Sequence, residues 1–431
     1  MTLTPASLFE FIAACPTPYH TAAAVSARLE AAGYAFLPEE APWDLTPGEK
    51  YYTTRGGASV LAFRAPAPGE FEGFTILSPH GDSPCFLVKG SPEMRVEGRY
   101  TKLNTEVYGG TILSRWLDRP LSVAGVLTLR EGDALRTVLT DIPRDLLMIP
   151  SLAIHMDREA NQGRKLDPQK DTLPLLSLGE AKVLDLAAEA AGVDPAAVLA
   201  YDLRLYARQQ GTLYGAENEF MAAPRLDDLE CVFAAVEAFL AADVPASRCP
   251  VLALFDKEEV GSLAPHAADS TFLADGLGRV LRSTRKSSCY SAGADEEGRL
   301  RALRRSFMLS ADNAHAVHPN YPEKADPTNR CYLGGGVVLK HGARYATDAR
   351  SAGLFRLVCQ KAGVPVQEFY NHSAIPGGGT LGQISGRQVS IPTADIGAAQ
   401  LAMHSPVETA AAADLSHLGS AMKAVLEDPL R

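Results

Sequence analysis

A strand–helix alternation that starts, lapses and resumes constrains this chain more than any other feature. Short apolar stretches read as strands at Phe74–Leu77, Val251–Phe255, Phe307–Leu309 and Val389–Ile396. Helical spacing appears between and after them. Leu226–Ala242 sets Leu229, Val232, Phe233, Val236 and Phe239 on one face, and Ala349–Ala362 and a last stretch including Leu415–Leu426 read as further helices. Strands that alternate with helices imply an α/β sheet covered on both faces. Ahead of it, Ser7–Ala14 places Leu8, Phe11 and Ile12 on one helical face and is expected to stop at Pro16 and Pro18. A second helix is expected from Thr21 to Ala32, closed by Gly33. Tyr51–Arg64 alternates like a hairpin turning at Gly56-Gly57.

Between about Val88 and Glu219 the alternation stops. Short β-type stretches (Leu121–Leu129, Arg136–Leu139, Leu203–Tyr206) surround one helical stretch near Glu180–Ala190. A strand-rich unit therefore interrupts the α/β pattern. For 431 residues, two or three structural units are expected. The organisation read here is a first α/β segment at 1–87, an inserted β-rich domain at 88–220 and a second α/β segment at 221–431.

Lys and Arg number 41 against 51 Asp and Glu, a net charge of −10. Such a chain has no overall attraction for nucleic acid or an anionic membrane, although a local basic spot could hold a small acidic substrate. The seven cysteines are scattered and contain no C-x-x-C pair. They read as buried free thiols in a reducing compartment rather than a disulfide framework or a thiolate zinc site. The N-terminal segment lacks the basic start of a secretory signal. No apolar run approaches the ~20 residues that span a bilayer. The expected location is the cytoplasm.

Several of the strands lead into residues of metal-ligand type: His80 and Asp82, then Glu258 and Glu259, then Asp312, then His404. Asp227 sits at the mouth of the Leu226–Ala242 helix, where it would otherwise be read as an N-cap. Open α/β sheets bind ligands beyond the carboxyl ends of their strands, so groups remote in sequence can converge there. Imidazoles and carboxylates without thiolate suit zinc, manganese or cobalt. Two histidines and three carboxylates suffice for two ions if one carboxylate bridges. Such pairs of ions activate a water and clamp a tetrahedral transition state. In the Glu258-Glu259 pair, one carboxylate can bind metal while its neighbour serves as general base.

The segments His80-Gly-Asp-Ser-Pro-Cys85, Arg225-Leu-Asp-Asp228, Asp256-Lys-Glu-Glu-Val-Gly-Ser262, Ser310–Tyr321 and Gln400-Leu-Ala-Met-His-Ser405 resemble the M18 metallopeptidases, the aspartyl aminopeptidases. The resemblance runs from Pro16-Thr-Pro-Tyr-His20 to the C-terminal helix and includes Glu106-Val-Tyr-Gly-Gly110 and Leu152-Ala-Ile-His155. It implies a zinc-exopeptidase-type three-layer α/β domain with an inserted β-rich dimerisation domain, assembled as a tetrahedral dodecamer built from dimers. It implies that His80 and Asp312 hold one ion, Glu259 and His404 the other, and Asp227 bridges them. Glu258 would be the base, and Asp82 would orient His80. His155 would reach a partner subunit's site, and His315 would help stabilise the oxyanion. Lys340 would face the carboxylate of an N-terminal Asp or Glu, and the glycine-rich loop with Gly379 and Thr380 would line the substrate.

The sequence departs from the family pattern at several points. His80-Gly81-Asp82 replaces His-Thr-Asp, Leu226-Asp227-Asp228 replaces Leu-Asp-Asn, and Lys257 stands where His or Asn is usual. His372-Ser-Ala-Ile375 replaces Arg-Ser-Asp-Met, losing a cation and a carboxylate. The last change sets a broader or altered N-terminal specificity beside the strictly acidic one.

Overall fold

The computed structural model describes residues 1–66, 71–283 and 296–430. Nine strands form the central sheet, in the order Ala35–Phe36, Lys50–Arg55, Ser59–Arg64, Arg248–Leu254, Gly73–Ser78, Phe307–Ala311, Thr393–Gly397, Val337–His341 and Val366–Tyr370. The four consecutive strands from Arg248–Leu254 to Thr393–Gly397 are mutually parallel, and every residue in them is buried. Burial on both faces explains their continuous apolar runs. The period of two is nonetheless visible in what they touch. Leu77, Leu252, Leu254 and Leu309 enter a core built with the helices Pro5–Ala14, Pro18–Ala31, Leu226–Ala241 and Ala412–Glu427. Their sequence neighbours Ile76, Val251, Ala253 and Met308 enter the opposite core, under Phe272–Ser283 and Glu296–Arg305. The result is the three-layer α/β arrangement.

The interrupting segment builds its own six-stranded sheet, in the order Ala134–Asp141, Leu121–Glu131, Val198–Ala207, Cys85–Val96, Tyr100–Tyr108 and Leu175–Ser177. Its core gathers Phe86, Leu103, Trp116, Leu127 and Leu203 with the helix Val183–Ala191. A third sheet of five short strands joins Thr212–Tyr214 and Phe220–Ala223 to Glu408–Ala411, Ala399–Leu401 and Ala314–His315. It shapes the loops at the carboxyl edge of the central sheet.

Two element boundaries differ from expectation. Pro18 does not stop a helix; it begins one, at the first helical position. There its missing N–H would have had no intrahelical partner anyway. The strand expected at Val389–Ile396 begins only at Thr393. Val389 and Ile391 are apolar because they pack into the core beneath Phe272–Ser283. Among the described residues no helix is long and apolar enough to cross a membrane. Six of the seven cysteines are free and buried; Cys289 lies outside the described residues.

Gly397 ends its strand where the main chain of Asp312 passes. A Cβ built there would lie 2.0 Å from the Asp312 carbonyl oxygen. Gly397→Ala must push two buried strand ends apart, and a loss of about 1–3 kcal/mol is expected. Gly353, inside the helix Ala349–Ala362, has nothing within 4 Å of such a Cβ. Gly353→Ala should instead stabilise by about 0.4–1 kcal/mol, through a less flexible unfolded chain. Denaturant midpoints of the two variants test this opposition of sign.

Candidate active site

Two residues beyond the Gly73–Ser78 strand, His80 continues the parallel alignment by pairing with Phe255. Its N–H donates to Asp228 Oδ2 at 3.2 Å. The ring nitrogen Nδ1 lies 3.1 Å from the Asp82 carbonyl oxygen and 3.5 Å from its carboxylate. A proton held at Nδ1 leaves the Nε2 lone pair free to face the cleft. Asp82 is fully buried. It accepts from the Tyr108 hydroxyl at 2.6 Å and from the N–H groups of Glu258 and Glu259 at 3.1 and 3.3 Å. One carboxylate thus fixes both the histidine and the double-glutamate turn.

Asp227 does not cap the helix. Asp227 and Asp228 are non-helical, their shared peptide bond is cis, and Arg225 occupies the position before the helix without a side-chain cap. The Asp227 carboxylate instead lies between two imidazoles, with Oδ1 3.6 Å from His80 Nε2 and Oδ2 3.4 Å from His404 Nε2. Its N–H is held by Glu408 Oε2 at 2.8 Å. The other oxygen of Glu408 takes the His404 N–H at 2.7 Å. His404 sits in the turn between Ala399–Leu401 and Glu408–Ala411, its Nδ1 3.1 Å from the Gly110 carbonyl and its Nε2 3.2 Å from Glu259 Oε2. Asp312 follows the Phe307–Ala311 strand directly.

These side chains fall into groups whose ligand atoms all lie within 4.8 Å of one another: His80, Asp227, Asp228 and Asp312; Asp227, Glu259 and His404; and His80, Glu258 and Glu259. Asp227 belongs to two of the three. Asp227 Oδ1, Asp228 Oδ1 and Glu259 Oε1 are buried without a hydrogen-bond partner among the described residues. Buried carboxylate oxygens left unpaired are costly. Burial pushes the Glu258 carboxyl up to about 8, with Asp312, Asp82 and Asp227 adding to it against His80. Burial, followed by Asp227, likewise holds Glu259 well above the carboxylate range. A divalent cation would reverse this balance, and a donor set of nitrogen and oxygen suits zinc. The residues present fit a metal.

The cleft has a volume of about 510 Å³ and is lined by His80, Asp227, Glu258, Glu259, Asp312, His315, Lys340, Gly379, Thr380 and His404. Ten of the twelve candidate residues therefore share one cavity, and Asp82 lies beneath it. His155 does not join them in this chain; it is exposed in the interrupting segment. Lys340 is not a solvated strand end. It is 3 % exposed, with Nζ 3.2 Å from Asp312 Oδ1 and donating to the Asn313 carbonyl at 2.9 Å. The Thr380 hydroxyl is committed to Asp395 Oδ1 at 2.7 Å. Three supporting residues escaped the sequence reading. Tyr108 and Gly110 lie in a quoted segment but showed no sign of contact with the site. Glu408 had no local signal beyond standing four residues after His404.

A mixed α/β sheet with histidines and carboxylates gathered past its parallel strand ends suits a metal-dependent hydrolase. Known proteins narrow this further. The family described as Aminopeptidase I zinc metalloprotease (M18) matches residues 11–425. A probable M18 family aminopeptidase 2 of Clostridium novyi is 43% identical over 410 residues, covering 92% of each chain. One from Pseudomonas aeruginosa is 40% identical over 422 residues, covering 95% of each. The crystal structure of an M18 aminopeptidase from Thermotoga maritima superposes with a TM-score of 0.84 at 25% identity, covering 98% of this chain and 95% of that one. The mApe1 dodecamer of S. cerevisiae gives 0.83 at 26%, covering 97% and 95%. The chain belongs to the M18 family of zinc metallopeptidases and is an aminopeptidase.

Because Asp227 stands between both imidazoles, Asp227→Ala should remove more metal than loss of any other single side chain in the cleft. Metal analysis after gel filtration checks it. A helix cap would behave differently, with about 0.5–2 kcal/mol of stability lost and metal retained.

Proposed function

We propose that this chain releases the N-terminal residue of peptides, preferring Asp or Glu, at a cleft where Asp227 would be shared between two divalent cations. The observation that carries this reading is the Asp227 carboxylate, with one oxygen toward His80 and the other toward His404. His80 and Asp312 would hold one cation, Glu259 and His404 the other. Zinc is the expected ion, with manganese or cobalt as alternatives. When bound, the cations would supply Lewis acidity toward a water and the scissile carbonyl. Glu258 takes the proton from the attacking water and returns it to the leaving amine. His315, on the cleft wall, donates to the developing oxyanion.

Acidic preference rests on Lys340. Its ammonium pairs with Asp312 and donates to the Asn313 carbonyl, and a further N–H would serve a substrate carboxylate. The same pairing favours the second reading, an aminopeptidase of broader specificity, because Asp312 already neutralises much of that cation. Exposure of His155 fits its reaching a neighbouring subunit. Residues 88–220 would then mediate oligomerisation, and one structural neighbour is a dodecamer by its description. A tetrahedral dodecamer of dimers acting on cytoplasmic peptides is the assembly proposed.

Glu258→Gln should lower kcat by about 10²–10⁴-fold with metal content unchanged. Rate and metal measured on one sample decide this. Loss of metal instead would exchange the roles of Glu258 and Glu259. Lys340→Met should lower kcat/KM about 10–100-fold for N-terminal Asp or Glu, the value of one charged hydrogen bond. Ala substrates should fall much less. An equal fall for all substrates would assign Lys340 to holding Asp312 and favour the broader specificity.

A further inference from the structure

A second pocket opens beside the cleft. It has a volume of about 290 Å³ and shares His315 and Phe369 with the first. The two rings stand 6.3 Å apart, inclined at 61°. Beyond them the pocket is lined by Val317, Ile375 and Leu401, with His372 at its margin. The segment after the Val366–Tyr370 strand serves both cavities. His372 and Ile375 line the second, whereas Gly378, Gly379 and Thr380 line the first. Ala402 belongs to the second pocket, while Met403 and His404 belong to the cleft. The second pocket thus adjoins the cleft of the proposed metal centre, and Lys340 lines only the cleft.

We infer that this second pocket receives the side chain of the peptide's second residue, and that it selects a bulky apolar one through Ile375, Phe369 and Leu401. This rests on the aminopeptidase reading above. The first side chain is directed at Lys340, so the chain beyond the scissile bond must leave the cleft by another wall. His315 and Phe369 form the wall that opens on a cavity. Its walls at Phe369, Ile375 and Leu401 are apolar, while Lys324, His318 and Asn371 also line it. Ile375 is 40% exposed, so a side chain entering the pocket can cover it. The segment that departs from the family pattern therefore governs the second position of the substrate rather than the first.

The test uses metal-loaded enzyme and tripeptides Asp-Xaa-Gly, with release of Asp followed by chromatography. Wild type should cleave Asp-Leu-Gly at least about tenfold better than Asp-Gly-Gly, the discrimination typical of a filled apolar pocket. Ile375→Ala should reduce that ratio several-fold, and Ile375→Lys should raise Asp-Asp-Gly relative to Asp-Leu-Gly. The Asp-over-Ala ratio at the first position, with glycine second, is measured on the same proteins. A second-position ratio that is flat in wild type, or unmoved by both variants, overturns the inference. So does a shift confined to the first-position ratio, which would place the first side chain in this pocket. Failure to cleave any tripeptide, whatever its first residue, would overturn the aminopeptidase reading and this inference together.

Discussion

Mutual repulsion among buried carboxylates is the constraint on which the rest of this structure depends. Asp82, Asp227, Asp228, Glu258, Glu259 and Asp312 converge on two imidazoles, and several of their oxygens have no hydrogen-bond partner among the described residues. No arrangement of side chains alone makes such a cluster comfortable in a low dielectric. It persists because a rigid framework holds each group in place. Four parallel strands, buried on both faces, deliver His80, the Glu258-Glu259 turn, Asp312 and the approach to His404 at one edge. Backbone N–H groups then aim the carboxylates, as those of Glu258 and Glu259 do for Asp82.

The interrupting segment contributes to this framework within the same chain. Tyr108 donates to Asp82, and the Gly110 carbonyl meets His404 Nδ1. Arg204, 1 % exposed, lies over the Tyr108 ring at 4.6 Å and pairs with Asp202 at 3.3 Å. A line of contacts therefore runs from the strand Val198–Ala207 through Tyr108 to the residue that orients His80. The segment is part of the support of the site as well as a candidate surface for subunit contact.

Specificity divides along the same geometry. Lys340 is buried against Asp312, so the cation that would recognise an acidic side chain also positions a proposed metal ligand. The changed segment His372–Ile375 stands on the far side of His315 and Phe369.

Sequence alone determined the class of fold and the chemical type of the site. Strands buried on both faces are mostly apolar, so the alternation and its interruption were readable, and histidines and carboxylates after strand ends marked one edge of a sheet. Boundaries were less legible where apolar residues pack without being strand. Val389 and Ile391 look like strand residues because the core selects for hydrophobicity whatever the backbone does. What only the tertiary structure decided was adjacency. The central order, with Arg248–Leu254 beside Gly73–Ser78 and Phe307–Ala311 beside Thr393–Gly397, is set by long-range pairing between segments more than a hundred residues apart in the first case and more than eighty in the second. No local pattern encodes it. The supporting contacts of Tyr108, Gly110 and Glu408 were invisible for the same reason. A single hydrogen bond to a distant group leaves no periodicity in the chain that makes it.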